Sequence, residues 1–384
     1  MNVLLITTIS GFLPKFLMQD VRILQEMGYT VHYASNFDTP VYECDREELE
    51  QQGIVCHSVP IAKNPLAATA HLTALRQLNQ LVEREKIRAV HCHNPVGGVL
   101  GRMISVGRKN AAELYVIYTA HGFHFFKHAP IINWIAFYPV ERLLARRTDQ
   151  LITINREDKG RSDRFPLRKN GSTSRIPGVG LDPERFQPDP ERRMRYREEM
   201  GVEAGEYLFL SVGELNGNKN HETIIKAFSK IGCSRAKLFI CGEGKKRKKL
   251  QHLIDRLRMH GRIVLQGYRT EIERYYQSAD CFLFPSVREG LGMAALEAMA
   301  CGLPVIAGDN RGTREYVFDN GYLCKPKDVN AFAEAMDVLM KDPGRAAFMG
   351  GRSREIAVGF FQSRTEKIMR DVYEKMQKSI EGGG

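Results

Sequence analysis

Pro285-Ser-Val-Arg-Glu-Gly-Leu-Gly-Met-Ala-Ala-Leu-Glu-Ala-Met-Ala-Cys-Gly-Leu-Pro-Val-Ile-Ala307 runs a strand end, a glycine-rich turn, a helix and a second strand together. Glu289 falls in the turn, Gly290 and Gly292 permit a tight entry around Leu291, and a helix of small residues starting near Met293 and Ala294 carries Glu297 one to two turns in. The first amides of such a helix have no intrahelical acceptor and lie at the positive end of its dipole, so Gly292, Met293 and Ala294 offer a diphosphate site. Further along, Glu297 can accept two hydrogen bonds from a vicinal diol such as a ribose. Glu289, nearer the strand end, faces whatever hangs off the phosphate. A lone carboxylate in so apolar a helix calls for a partner.

The same alternation extends in both directions. In the second half, strands are expected at 208–212, 238–241, 263–266, 281–284 and 305–307, with helices at 220–231, 246–260 and 292–301. The first half gives strands at 3–7, 31–34, 55–59, 89–92, 115–119 and 151–154, separated by segments of helical period at 16–27, 67–85 and 131–147. This is β-α-β-α grammar, an α/β protein with mostly parallel sheets covered by helices. Between 168 and 190 the pattern lapses into Asn170-Gly171-Ser172, Pro177-Gly178, Gly180, Pro183, Pro188 and Pro190, which reads as an inter-domain connection. The expected domains are therefore 1–180 and 181–360. A final amphipathic helix in 361–384, with Ile368, Val372 and Met376 four apart, has no following strand and docks elsewhere.

Open parallel sheets bind ligands beyond the carboxyl ends of their strands. Those positions hold Ser10-Gly11-Phe12, His91-Cys92-His93-Asn94 and His121-Gly122 in the first half. In the second they hold Gly213-Glu214 with Lys219 behind it, Gly242-Glu243-Gly244 and Gly267-Tyr268-Arg269. Two such rims facing each other make a cleft.

Composition narrows the classes. The 384 residues are 43% hydrophobic and 26% charged, which is globular, and length alone suggests two domains. No run approaches the roughly 18 apolar residues of a membrane span. The first residues lack a basic segment ahead of their apolar run and read as a strand rather than a signal peptide. Eight scattered cysteines without a CxxC pair favour reduced thiols over disulfides or zinc. The net charge is +11, and the excess sits in 142–175 and 245–262, which points to a polyanionic partner of some kind.

Taken in order, Thr119-Ala-His121-Gly122, Ser211-Val-Gly213 with Lys219, Gly242-Glu-Gly244, and Glu289 eight residues before Glu297 with Gly302-Leu-Pro-Val behind it resemble the retaining glycosyltransferases of family 4. The likeness covers essentially the whole chain, and its details resemble bacterial enzymes of exopolysaccharide or capsule assembly. It implies the GT-B fold: an N-terminal acceptor domain, a C-terminal donor domain facing it, and the last helix crossing back onto the first domain. It also implies transfer from a nucleotide-sugar, usually a UDP-sugar, with retention. By position, Glu297 would bind the ribose hydroxyls and Glu289 the donor-sugar hydroxyls. Lys219 and the amides of Gly292 to Ala294 would neutralise the diphosphate, and His121 would contact the sugar near the reacting carbon. Gly11 would let the first loop approach the phosphate, with Tyr268 and Arg269 beside the uracil. The family's arginine after the glycine of this strand end is replaced here by Glu214, which either points away or serves otherwise and leaves Lys219 the principal cation.

No Asp-x-Asp occurs, so metal independence is expected and no cofactor is implied. The implied partners are an undecaprenyl-type lipid-linked acceptor and an anionic membrane at the cytoplasmic face of the inner membrane, with no nucleic acid, for a monomer or weak oligomer. Blander readings stand beside these. His91-Cys92-His93 is a strand end with two histidines on one face, and a hydrogen-bonding role is its default over a metal site. Lys245 to Lys249 is either a solvated helix start or a membrane-attracting patch. Phe123 to Tyr138 followed by Arg142, Arg146 and Arg147 is either an interfacial segment or an ordinary core helix. Competing functions are a UDP-N-acetylglucosamine 2-epimerase on the same fold, a basic nucleic-acid-binding protein, and a noncatalytic nucleotide-sugar sensor.

Overall fold

The computed structural model describes residues 1–38, 44–104 and 114–382. Its contacts divide it into two compact units, one of Met1–Val179 joined by the segment that starts at Ser363, the other of Gly180–Gln362.

The first unit is built on seven parallel strands, β1 (Asn2–Ile6), β2 (Thr30–Ser35), β3 (Ile54–Ser58), β4 (Ile87–His93), β5 (Tyr115–Ala120), β6 (Gln150–Thr153) and β7 (Ser172–Arg175). Their spatial order is β3-β2-β1-β4-β5-β6-β7. The central strands are buried along nearly their whole length, as helices on either side require. Helix Ala68–Arg84 shows how the cover forms: Ala74, Leu78, Leu81 and Val82 recur at helical spacing and are its buried residues.

Six parallel strands make the second unit: β8 (Tyr207–Val212), β9 (Ala236–Cys241), β10 (Ile263–Gly267), β11 (Cys281–Phe284), β12 (Val305–Gly308) and β13 (Gly321–Cys324). Their order is β10-β9-β8-β11-β12-β13. In each unit the chain winds outward from its first strand, then returns to that strand's other side. The crossing points, between β1 and β4 and between β8 and β11, are where adjacent loops diverge and leave a crevice for ligands.

Some sequence expectations need correction. The run at 168–190 is not all connection, because β7 pairs with β6 from Gln150↔Ser172 to Thr153↔Arg175. Its Ser-Thr-Ser-Arg composition suits a sheet edge and carries no hydrophobic signal. The helix expected over 16–27 is Met18–Glu26, and a short helix, Phe12–Phe16, that was not anticipated precedes it. β13 was not anticipated. It lies against β12 so tightly that a Cβ on Gly321 would sit 2.0 Å from the Val305 carbonyl oxygen.

The last helix, Gln362–Gly382, buries Met369, Val372, Tyr373, Met376 and Ile380. The Tyr373 hydroxyl meets His91 Nδ1 at 2.9 Å, and Thr365 Oγ1 donates to the Gly178 carbonyl at 3.1 Å. All eight cysteines are free thiols. Among the described residues no helix is long and apolar enough to cross a membrane.

Candidate functional site

In the second unit the loops after β8 and β11 are laced together. Asn216 Oδ1 accepts from the backbone amides of Asn218 and Lys219, both at 2.9 Å, which folds the β8 loop into a tight turn. The Asn218 side chain then grips the other loop, donating to the Arg288 carbonyl at 2.9 Å and accepting from the Arg288 amide at 3.1 Å. This lacing brings Lys219 and Glu289, 70 residues apart, into an ion pair of 2.7 Å. The ammonium also stands 4.9 Å from the Phe284 ring centroid. Both side chains are largely buried, so the pair is a preformed, partly desolvated charge centre.

Helix Met293–Ala300 begins beside it. Gly292 is its N-cap at φ +97° and provides no side-chain cap for the first amides. A Cβ there would lie 2.7 Å from the Phe284 ring and 3.0 Å from the Tyr316 hydroxyl, so close packing as well as dihedral angle calls for glycine. The Tyr316 hydroxyl donates to the Leu291 carbonyl at 3.0 Å and fixes the turn ahead of the helix. Further along, Glu297 Oε2 accepts a 2.8 Å hydrogen bond from the Tyr276 hydroxyl. That is the partner a carboxylate in this helix requires.

The neighbouring strand ends complete the rim. At Gly242 an added Cβ would come within 2.1 Å of the Gly213 carbonyl oxygen, and at Gly244 within 2.6 Å of the Leu215 oxygen, so the β8 and β9 loops touch backbone to backbone. Gly213 N–H donates to the Cys241 carbonyl and Gly242 N–H to the Gly267 carbonyl, at 2.9 and 2.7 Å. Glu214 is exposed. Tyr268 is 66% exposed at the end of β10. Arg269 folds back, donating to Gln266 Oε1 at 3.1 Å and lying 5.7 Å from the Tyr275 ring centroid.

His121 and Gly11 belong to the first unit. His121 follows β5, with its Nε2 3.2 Å from His93 Nδ1, the two rings stacked, and Phe12 packed edge-on at 5.0 Å. Burial pushes the His121 imidazole down to about 4, so it is neutral near pH 7. His93 is held well below its ordinary value, by burial first and then by His91 and His121. His91 is pushed down to about 3 by burial, and its nitrogens meet the Tyr373 and Thr119 hydroxyls. The two strand histidines do share a face, with ring centroids 4.1 Å apart. Gly11 is buried in the β1 loop, which is tied to the β4 loop by Thr8 N–H donating to Asn94 Oδ1 at 3.3 Å. Among the described residues no group of three or more His, Cys, Asp or Glu side chains could hold a metal ion.

The structure thus groups Lys219, Glu289, Gly290, Leu291, Gly292, Met293, Ala294 and Glu297 on two adjoining loops and one helix. Gly213, Gly242 and Gly244 lie on the same rim, Tyr268 and Arg269 at the end of β10, and His121 with Gly11 in the other unit. Asn218, Tyr276 and Tyr316 escaped the sequence reading. Only the paired asparagines of Asn216-Gly-Asn218 carried a signal, that of a turn.

The glycosyl transferase 4-like family model matches residues 3–155 and the glycosyl transferases group 1 model residues 193–355. The chain belongs to the family 4 glycosyltransferases of the GT-B fold, and it is a glycosyltransferase. Putative glycosyltransferase EpsD of Bacillus subtilis (strain 168) is 36% identical over 378 residues, covering 97% of this chain and 96% of that protein. The UDP-Gal:alpha-D-GlcNAc-diphosphoundecaprenol alpha-1,3-galactosyltransferase of Escherichia coli is 27% identical over 328 residues, 83% of each chain. Among solved structures, Anabaena HepE in complex with UDP and glucose shares the fold at a TM-score of 0.77 and 19% identity, over 99% of this chain and 100% of that one.

Proposed function

We propose that this enzyme moves a sugar from a UDP-sugar to an undecaprenyl-type lipid-linked saccharide in cell-surface polysaccharide synthesis, with the anomeric configuration retained and without a metal ion. The observation that carries the reading is the Lys219–Glu289 pair beside the uncapped N-terminus of helix Met293–Ala300. The arriving diphosphate competes with Glu289 for the ammonium. Lys219 turns to the phosphate, and the released Glu289 accepts hydrogen bonds from the donor-sugar hydroxyls. The amides at Gly292 to Ala294 take the remaining phosphate oxygens. Glu297, oriented by Tyr276, holds the ribose diol, while Tyr268 and Arg269 lie along the base.

Charge develops on the leaving diphosphate as the glycosidic bond to it breaks. Preorganised positive groups there lower the barrier without reorganising during the step. No general base is needed, because the leaving phosphate oxygen takes the acceptor proton on the face where the new bond forms. Glu214 is exposed in the loop after β8, and in this reading Lys219 is the principal cation at the leaving group. EpsD, a putative glycosyltransferase alike over nearly its whole length, supports the class of reaction. The Escherichia coli relative names a lipid-linked acceptor, and HepE was solved with UDP and glucose.

The test is turnover of a panel of UDP-sugars with an undecaprenyl-diphosphate-linked saccharide, with and without EDTA, reading product configuration by NMR. A retained linkage formed at the same rate in EDTA is the expected result. Inversion, or loss of activity restored by a divalent cation, would refute the mechanism. UDP-N-acetylglucosamine epimerised without acceptor would instead indicate the epimerase.

A further inference from the structure

Two cations converge on Glu289 from the two strands that flank β11 in the sheet, β8 and β12. Lys219, in the loop after β8, holds the Glu289 carboxylate at 2.7 Å. Arg311, in the loop after β12, donates through Nε to the Glu289 backbone carbonyl at 3.4 Å. Only the first of these has a part in the donor site described so far. Arg288, next to Glu289 in sequence, has an exposed side chain, whereas Arg311 is partly buried.

The loop after β12 is built to keep Arg311 there. Asn310 Oδ1 accepts from the Gly312 and Thr313 amides at 3.0 and 3.2 Å, which closes a tight turn around Arg311. Asn310 Nδ2 donates to the Ser286 carbonyl at 3.0 Å and so ties the turn to the end of β11. Thr313 Oγ1 donates back to the Gly308 carbonyl at 2.7 Å. No slack remains at Gly312, where a Cβ would lie 2.9 Å from both Glu289 Cβ and the Leu291 carbonyl oxygen. The Arg311 turn and the Glu289 turn are thus one packed piece, immediately ahead of the helix that starts at Met293.

We propose that Arg311 is a second diphosphate-binding residue of this site, engaging the distal phosphate beside Lys219, an assignment that rests on the donor-site reading and deepens it. With Glu297 at the ribose and Glu289 at the sugar, the diphosphate runs between them and its distal phosphate lies at the Glu289 end, where Arg311 is anchored. A diphosphate carries more negative charge than one ammonium balances. A guanidinium can also engage two phosphate oxygens at once, which an ammonium cannot. When the bond from the anomeric carbon to the distal phosphate oxygen breaks, the electron pair stays on that oxygen, which takes the acceptor hydroxyl's proton as the acceptor oxygen bonds to the anomeric carbon. A cation fixed beside that oxygen in advance stabilises the growing charge without rearranging.

Calorimetric titration of the full chain with UDP and with UMP tests this, because UMP lacks the distal phosphate. Wild type should bind UDP more tightly than UMP. Arg311→Gln, which keeps a donor for the Glu289 carbonyl but no charge, should lose at least ~tenfold of the UDP affinity while UMP affinity and the circular-dichroism melt stay unchanged. Arg311→Lys, with the charge but not the fork, should recover part of that loss. Arg311→Gln binding UDP like wild type would overturn the proposal. So would equal loss of UDP and UMP, the mark of an arginine that only braces the Glu289 turn. Lys219→Ala separates the two levels of the account: if wild type binds UDP and Lys219→Ala weakens it but Arg311→Gln does not, the donor site stands and Arg311 is removed from it. A wild type that binds no UDP overturns both.

Discussion

Lys219 and Glu289 form one ion pair, and their separation on donor binding, as proposed, predicts different fates for their variants. Lys219→Ala should weaken UDP binding by about tenfold to a hundredfold, the scale of a charge-assisted hydrogen bond. Glu289→Gln should bind UDP at least as well as wild type, because its lysine is no longer engaged, yet turn over far more slowly. Titration and steady-state rates on both variants check this, and equal loss of UDP affinity in the two would contradict the exchange. Glu289 and Glu297 were legible because their spacing lies within one turn and one helix. Tyr276 and Asn218 were not, since each acts on a partner that only the tertiary fold brings near. Buried histidines set a pH signature. His121 and His91 stay neutral to about 4 and about 3, and His221 to about 3, whereas in the unfolded chain each titrates at 6.5. As pH falls below 6.5 the unfolded chain takes up protons that the native state refuses, so stability should fall from there toward pH 4. Asp20, raised to about 7 from 3.8 by burial, acts oppositely, losing stability as pH rises between those values. A thermal midpoint dropping by several degrees between pH 7 and 5 is expected, with a smaller drop in His91→Asn. A flat profile would count against the burial of these rings.

Among elements, the C-terminal helix Gln362–Gly382 contributes a large apolar face to the first unit. Its buried Met369, Val372, Tyr373, Met376 and Ile380 each contribute roughly 1.5–3 kcal/mol of apolar burial, which together is comparable to the ~5–15 kcal/mol stability of a whole domain. Ending the chain after Phe361 should therefore leave the first unit unfolded or aggregated in circular dichroism and gel filtration. A truncated protein melting like wild type would show that the helix is dispensable. Its four-residue periodicity was visible in the sequence, whereas its place in the first unit depends on contacts such as Tyr373 with His91. β7 stayed hidden because a four-residue polar edge strand has no alternation to read. The glycines at strand ends carried a clear signal, and the structure gives its reason at Gly242, where Ala would drive a methyl into the Gly213 carbonyl. Gly242→Ala should lower the melting temperature and UDP affinity together, and an unchanged melt would mean that the two loops part without cost.

For the whole molecule, alternating strands and helices specified two α/β units, and both sheets reverse order at their first strand. That reversal fixes where ligand loops emerge, so the strand-end residues could be nominated before any coordinate. What the pattern could not supply is which loops meet. The sequence placed the surplus of +11 in 142–175 and 245–262 without showing which of those charges find partners. In the fold several of the basic residues in and beside those segments are paired, as in Arg168–Asp149, Arg161–Glu157 and Arg247–Glu243. The central claim is that the second unit holds a UDP-sugar through Lys219, the amides after Gly292, and Glu297. Calorimetric titration of the intact protein with UDP, with ADP and GDP as controls and Glu297→Ala and Lys219→Ala alongside, tests it most directly. The account predicts saturable binding selective for UDP that is lost or strongly weakened in both variants. Absence of nucleotide binding by wild type, or Glu297→Ala binding UDP as tightly as wild type, would contradict it.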